Sequence, residues 1–163
     1  MEGDFKKKKG SELARKFEEG LKRNQYLFFD LEDYEELVLF YSSQNLPKKA
    51  LQAAKHAESQ HPFSVELMLL KAQAFINLEN YSEALEVLAT AETFQPNEAE
   101  IFMIRGSVYS LTTAFEKAEK EFNRALLFAE NKDDVYYHLG ALAQNQEKYD
   151  EAIEFYHKAL EIN

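Results

Sequence analysis

Residues 133–163 have the sequence DDVYYHLGALAQNQEKYDEAIEFYHKALEIN, and this stretch decides the fold. It contains two apolar runs, with Gly140 in the first and both Ala152 and Ala159 in the second. Ala152 and Ala159 are seven residues apart, which is about two turns of an α-helix. Both alanines therefore lie on one face of the second helix, and the stretch is predicted to form a helical hairpin.

The same pattern recurs every 34 residues toward the amino terminus. Gly140 corresponds to Gly106 one step back. The two alanine positions hold alanine at each of three earlier steps, which are Ala118, Ala84 and Ala50 for the first position and Ala125, Ala91 and Ala57 for the second. A fixed period of this length indicates a repeat array in which every hairpin buries its apolar face against the next.

A period of 34 residues is that of tetratricopeptide-type hairpins, and the chain resembles this family from Leu31 to Asn163. The resemblance predicts an all-α fold, an α-solenoid of four helix–turn–helix repeats that form a right-handed superhelix. The predicted domain boundaries are residues 31–64, 65–98, 99–132 and 133–163 for the repeats, which together form one repeat domain over 31–163.

Upstream of the repeats, residues 1–10 are predicted to be a flexible tail and residues 11–30 an N-terminal capping helix with its linker. Apolar residues at helical spacing predict a helix from about residue 12 to 24, with Ser11 as its cap. The apolar linker residues 26–29 are expected to pack beneath this helix.

Local signals predict where the repeat helices begin. Asp30 is expected to cap the first helix of the first repeat, and Pro47 to occupy the first turn of its second helix, where proline is tolerated. Asn97 and Glu100 have the spacing of a capping box for the third repeat.

Composition limits the classes of function. The chain of 163 residues contains no cysteine, so disulfides and thiolate chemistry are excluded. No apolar run approaches the ~20 residues needed to cross a bilayer, and the start lacks the apolar core of a secretory signal. These features predict a cytoplasmic protein without membrane insertion.

The charge is unevenly distributed. Residues 1–24 hold 8 basic and 5 acidic residues, whereas the rest of the chain holds 11 basic and 24 acidic ones, for a net charge of −10. An acidic body disfavours nucleic acid, because phosphate contacts dominate that affinity.

No chemistry-bearing motif is present. The histidines, His56, His61, His138 and His157, include no pair at the i, i+4 spacing of a helical metal site. Glycine-rich phosphate loops and nucleophile elbows are also absent from the sequence. The sequence therefore predicts no catalytic residue, no metal and no cofactor, and the protein is not expected to be an enzyme.

The resemblance implies a concave groove that is lined by the first helix of each repeat and binds an extended peptide. The residues predicted to line this groove are Leu69, Gln73, Asn77, Met103, Ser107, Leu111, Tyr137, Ala141 and Asn145. Acidic residues recur in the first turn of every first helix and form a predicted acidic rim of Glu32, Glu66, Glu100 and Asp134. These acids complement the helix dipole, and they would also attract a basic ligand. The expected partner is therefore a protein or peptide of apolar or basic character.

A subset of the family grips the carboxylate terminus of heat-shock chaperones with lysine, arginine and asparagine in these columns. Here none of the groove positions holds lysine or arginine, so this clamp is not expected.

The leading interpretation is a protein–protein interaction scaffold without catalysis. The alternatives are a self-assembly module that acts through its terminal helix faces and a fragment of a larger regulatory repeat protein. The apolar residues Phe155, Tyr156 and Leu160 of the last helix favour an interface. They predict either a homodimer through the C-terminal helix or a chain that continues past Asn163 with further repeats.

Overall fold

The computed structural model of the protein describes residues 2–25 and 27–162, with side chains from residue 8 onward. These residues form nine α-helices and no strand, which confirms the predicted all-α class. The helices are α1 (Glu2–Lys22), α2 (Leu31–Ser43), α3 (Pro47–Gln60), α4 (Val65–Ile76), α5 (Tyr81–Phe94), α6 (Ala99–Leu111), α7 (Phe115–Phe128), α8 (Asp133–Asn145) and α9 (Tyr149–Ile162). The predicted end points Met1 and Asn163 and the linker residue Tyr26 lie outside the described residues.

The helices repeat with the period of the sequence. The first helices of the four hairpins begin at Leu31, Val65, Ala99 and Asp133, and the second helices at Pro47, Tyr81, Phe115 and Tyr149. Each series advances by 34 residues, so the first helices start where the predicted repeats start.

Every hairpin turns through the same backbone motif. A residue two or three positions after the end of each first helix has a positive φ angle, at Asn45 (55°), Glu79 (60°), Thr113 (58°) and Glu147 (62°). In the third hairpin the Ala114 amide donates to the Tyr109 carbonyl at 2.8 Å and the Thr113 amide to the Ser110 carbonyl at 3.1 Å. The other three turns have both hydrogen bonds at the equivalent positions. This is the Schellman arrangement, which satisfies the last carbonyls of a helix.

The helix starts confirm two of the three local signals predicted for the repeat helices. Asp30 Oδ1 accepts a hydrogen bond from the Asp33 amide at 2.9 Å, and Pro47 is the first residue of α3. The Asn97 cap was wrong, because the cap of α6 is Glu98, whose Oε1 accepts from the Glu100 amide at 3.3 Å.

The chain forms two compact units, one up to Val87 and one from Leu88 onward. The division falls inside α5, whereas the sequence predicted a single repeat domain over residues 31–163. In a repeat array each hairpin contacts its neighbours only, so compact units need not end at repeat boundaries.

In the first unit, α1 packs on α2 and on the linker between them through close approaches at two glycines. A Cβ at Gly10 would lie 2.8 Å from Phe40 of α2, and one at Gly20 would overlap the side chain of Leu27 in the linker. The core of this unit is apolar and includes Leu13, Phe17, Tyr34, Leu37, Val38, Tyr41 and the alanines of α3.

The N-terminal boundaries differ from the prediction. Helix α1 begins at Glu2, so a helix start near residue 12 and a Ser11 cap were wrong, and residues 2–10, which the sequence assigned to a flexible tail, are part of this helix. Tertiary contacts favour this helix, because Lys9 Nζ lies 2.9 Å from Asp33 Oδ1 and Gly10 approaches Phe40. In the linker Phe29 is buried, but Phe28 is 67% exposed and does not pack beneath the helix.

In the second unit, α6 pairs with α7 and α8 pairs with α9. Ala118, Ala125 and Ala152 are buried in these pairs, as the alanine pattern predicted. A Cβ at Gly106 would lie 2.6 Å from the Phe122 ring, and one at Gly140 would lie 2.7 Å from the Tyr156 ring. The two hairpins therefore share one internal packing, with an aromatic ring of the second helix on a glycine of the first.

Candidate protein-binding site

The predicted groove residues of the first unit differ in exposure. Gln73 on α4 and Asn77, the residue that caps the end of this helix, are exposed, and Gln73 Nε2 donates to Asn77 Oδ1 at 3.2 Å. Leu69 is only 6% exposed, so it belongs to the buried side of α4 and offers almost no surface to a ligand.

In the second unit the equivalent face is more open. Leu111 at the end of α6 is 57% exposed and Tyr137 on α8 is 58% exposed. Met103, Ser107 and Ala141 are half-buried, and Asn145 is exposed. Helix α6 contacts α8, so these residues lie on neighbouring first helices of one compact unit. We call this set the first-helix face: Met103, Ser107, Leu111, Tyr137, Ala141 and Asn145.

The four acidic positions are all exposed and lie in the first turns of their helices, where they complement the helix dipole. Some also have local partners. Glu66 Oε2 accepts from Ser64 Oγ at 3.0 Å, and Glu32 lies 3.9 Å from Lys9 Nζ. Burial raises the pKa of the neighbouring Glu35, and the charges of Glu66 and Glu32 raise it further. The acids at the starts of α2 and α4 are therefore close enough to influence Glu35.

A cavity of about 490 Å³ lies between α8 and α9. Its lining residues are Asp133, Asp134, Tyr137, Gln144, Tyr156, Ala159 and Leu160. The rings of Tyr137 and Tyr156 are 5.6 Å apart. The structure thus brings together Tyr137, which the sequence assigned to the groove, and Tyr156 and Leu160, which it assigned to a terminal interface. We call this cavity the α8–α9 groove.

Two residues predicted for the terminal interface have contacts within their own hairpin. The Tyr156 hydroxyl donates to Gln144 Oε1 at 2.9 Å. Burial raises the pKa of Tyr156, and the nearby Tyr137 hydroxyl raises it to a smaller extent. Phe155 lies apart from the α8–α9 groove, since its ring is stacked against Tyr136 with centroids 6.4 Å apart and has Lys158 Nζ 5.1 Å from its centre.

The structure also contains a buried ion network that sequence reasoning missed. Arg105 on α6 is 9% exposed, and it pairs with Glu92 on α5 at 2.7 Å and with Glu121 on α7 at 3.4 Å. Arg105 also donates to the Leu88 carbonyl, and Arg124 pairs with both glutamates. Burial opposes ionisation of Glu92, but the hydrogen bonds from Arg124 and Arg105 lower its pKa. The available signal was one arginine within the apolar run of α6, directly before Gly106.

The described residues contain no group of three or more His, Cys, Asp or Glu side chains arranged to hold a metal ion. Across the same residues, none of the helices combines the length and the apolar character that crossing a membrane requires.

Comparison with known proteins identifies the repeats. Models of the tetratricopeptide repeat match residues 43–108 and 133–163, which together cover more than half of the chain. No curated protein sequence is significantly similar to the chain.

Several solved structures have the same fold. A thermophilic TPR protein of Thermus thermophilus, TTC0263, is 28% identical with a TM-score of 0.78, over 91% of this chain and 80% of its own. MamA from Desulfovibrio magneticus RS-1 is 18% identical with a TM-score of 0.66, over 82% and 75%. PilF of Pseudomonas aeruginosa is 18% identical with a TM-score of 0.67, over 80% and 60%.

The helical period, the alanine contacts and the two model matches agree with one another. Proteins built from such repeats are generally non-catalytic scaffolds for other proteins. The chain belongs to the tetratricopeptide repeat family.

Proposed function

We propose that the protein is a non-catalytic scaffold that binds an apolar or basic segment of a partner protein on the first-helix face of its second unit. The observation that carries this proposal is the exposure of Leu111 (57%) and Tyr137 (58%) on adjacent first helices. Large apolar side chains that are exposed on neighbouring elements are typical of an interaction surface.

The charge of this region supports a basic ligand. Glu100 and Asp134 are exposed in the first turns of α6 and α8. No lysine or arginine occurs in α8, and the arginine of α6, Arg105, is buried in its ion network. A segment with lysine or arginine would therefore meet net negative charge next to the apolar residues.

The test is a double variant in which both Leu111 and Asn145 are replaced by lysine. These residues end α6 and α8, where an added positive charge complements the helix dipole. The double variant should keep its helical circular dichroism and its melting temperature. It should nevertheless fail to retain the proteins that the wild type captures from cell extract in a quantitative pull-down, because the added charge repels a basic segment.

The matched control is Leu127→Lys, which charges a residue that is 75% exposed on the second helix α7. This control should retain the captured proteins. If the Leu111→Lys, Asn145→Lys variant retains the same proteins as the wild type, the first-helix face is not the binding surface.

A further inference from the structure

The third hairpin shows what normally covers the surface that the α8–α9 groove presents. The residues 34 positions before Tyr156 and Ala159 are Phe122 and Ala125, which are 1% and 0% exposed. Helix α8 packs on α6 and α7, and its His138 ring is stacked on Phe122 with centroids 5.5 Å apart at 15°. The cover over the third hairpin is therefore an amphipathic helix.

In the fourth hairpin the equivalent positions are more exposed. Tyr156 and Ala159 are half-buried and Leu160 is 72% exposed. The internal packing of the two hairpins is the same, because Phe122 lies on Gly106 as Tyr156 lies on Gly140. The difference in exposure therefore arises from the covering helix and not from the hairpin itself. The α8–α9 groove has the shape of a site for one helix.

The lining of this groove indicates the charge of that helix. Asp133 and Asp134 line the cavity beside Tyr137 and Leu160. At the equivalent positions of the third hairpin the chain has Ala99 and Glu100. Residues 133–162 contain seven acidic residues and two lysines, so a helix that carries lysine or arginine beside its apolar face is the electrostatically complementary occupant.

The same charges disfavour a second copy of the chain. Helix α9 holds four acidic residues and one lysine, so pairing of this face with itself would place like charges together. The basic helices among the described residues are α1 and α3, but their apolar faces, which include Leu13, Phe17 and Ala53, are buried in the core of the first unit of their own chain. A second copy could not offer either face without unfolding its own first unit.

We propose that the α8–α9 groove docks a basic amphipathic helix of a partner protein, in the way that α8 covers the third hairpin. The apolar face of this helix resembles that of α8, with apolar or aromatic residues at the positions of Val135, His138, Leu139 and Leu142. Its lysine or arginine side chains contact Asp133 and Asp134. This docking surface shares Tyr137 with the first-helix face, but Asp133 and Leu160 belong to the groove alone, whereas Leu111 and Asn145 belong to the first-helix face alone. The proposal does not depend on the proposed peptide site.

The probe is a stapled, fluorescein-labelled helical peptide that keeps the residues of α8 at those four positions and carries lysine at the positions of Asp133 and Asp134. Stapling is needed because an isolated helix of this length is marginal in water. Fluorescence anisotropy with the full chain should show saturable binding. A peptide with glutamate in place of the lysines should bind about tenfold more weakly.

Variants of the chain locate the site. Leu160→Lys should weaken binding of the basic peptide by about tenfold or more, since it removes apolar contact and adds repulsion. The double variant Asp133→Asn, Asp134→Asn should also weaken binding of the basic peptide. It keeps the Oδ1 atom at position 133 that accepts a hydrogen bond from the amide of residue 134. Leu127→Lys should bind as the wild type does. The Leu111→Lys, Asn145→Lys variant should also bind as the wild type does, which separates this proposal from the proposed peptide site.

Three results would overturn the proposal. The first is no saturable binding of the basic peptide, and the second is equal binding of the acidic peptide. The third is light scattering that shows a dimer of the chain which Leu160→Lys converts to a monomer, because the occupant would then be a second copy.

Discussion

At the residue scale, the turns of the four hairpins place a non-glycine residue in left-handed backbone. The residues are Asn45, Glu79, Thr113 and Glu147. Thr113 is the least suited of the four, because a β-branched side chain crowds the left-handed backbone, whereas asparagine tolerates this conformation. The motif is therefore maintained by the packing of the helices and by the two hydrogen bonds of each turn, and not by the intrinsic preference of its central residue.

This leads to a stability prediction for Thr113. Thr113→Asn should raise the free energy of unfolding by about 0.5–1 kcal/mol, because asparagine adopts the positive φ at lower cost. The measurement is the midpoint of urea denaturation. Asn45→Thr, in the equivalent turn of the first hairpin, should shift the midpoint in the opposite direction. A lower midpoint for Thr113→Asn would show that the threonine has a favourable role of its own in the turn.

At the element scale, the ion network joins three helices of the second unit through side chains that are largely removed from water. Glu92 lies on α5, Arg105 on α6, and Glu121 and Arg124 on α7. Arg105 and Glu121 are 9% and 8% exposed. Such groups stabilise a fold only while all of them remain paired, because removal of one partner leaves a buried charge with too few hydrogen bonds.

We expect Arg105→Met to lower the free energy of unfolding by about 1–3 kcal/mol, since Glu121 and the Leu88 carbonyl lose a donor. Arg124 still pairs with both glutamates, which moderates the loss. The control is Arg15→Met on α1, where Arg15 and Glu19 form an exposed pair at 3.5 Å and where the change should stay within about 0.5 kcal/mol. Equal effects of the two substitutions in chemical denaturation would contradict a structural role for the network.

At the scale of the whole molecule, the chain divides into two compact units within α5. A repeat protein is stabilised by contacts within hairpins and between sequence neighbours, so a local defect is expected to act mainly on its own surroundings. Substitution of a buried alanine measures how far such a defect spreads along the chain. Ala118 is fully buried at 0% exposure in the second unit, and Lys120 on the same helix is exposed.

Ala118→Leu should destabilise the second unit by about 1–3 kcal/mol, because the added carbons force apart two helices that approach closely at the alanine. Hydrogen exchange followed by mass spectrometry should show a larger loss of protection in residues 88–162 than in residues 2–87. Lys120→Leu should leave the exchange pattern of the wild type. Uniform loss of protection along the chain would instead mean that the protein unfolds as a single cooperative unit.

The period, the starts of the repeat helices and most of the buried alanines follow from the sequence alone. These features are readable because helical spacing and close approach act on residues a few positions apart, and because the 34-residue period repeats them four times. The Asp30 cap and the Pro47 helix start are local in the same sense. Each of these predictions rests on contacts made within a single hairpin or turn.

Which apolar residues are covered and which are open depends on tertiary packing. Leu69 and Tyr137 occupy the same position of their repeats, yet one is 6% and the other 58% exposed. Phe122 and Tyr156 also share a position, but Phe122 is covered by α8 while Tyr156 lines an open groove. The extension of α1 to Glu2 and the pairing of Arg105 depend likewise on helices distant in sequence. Exposure is set by the helix that lies over a face, and the spacing of residues within one repeat does not show whether such a helix is present.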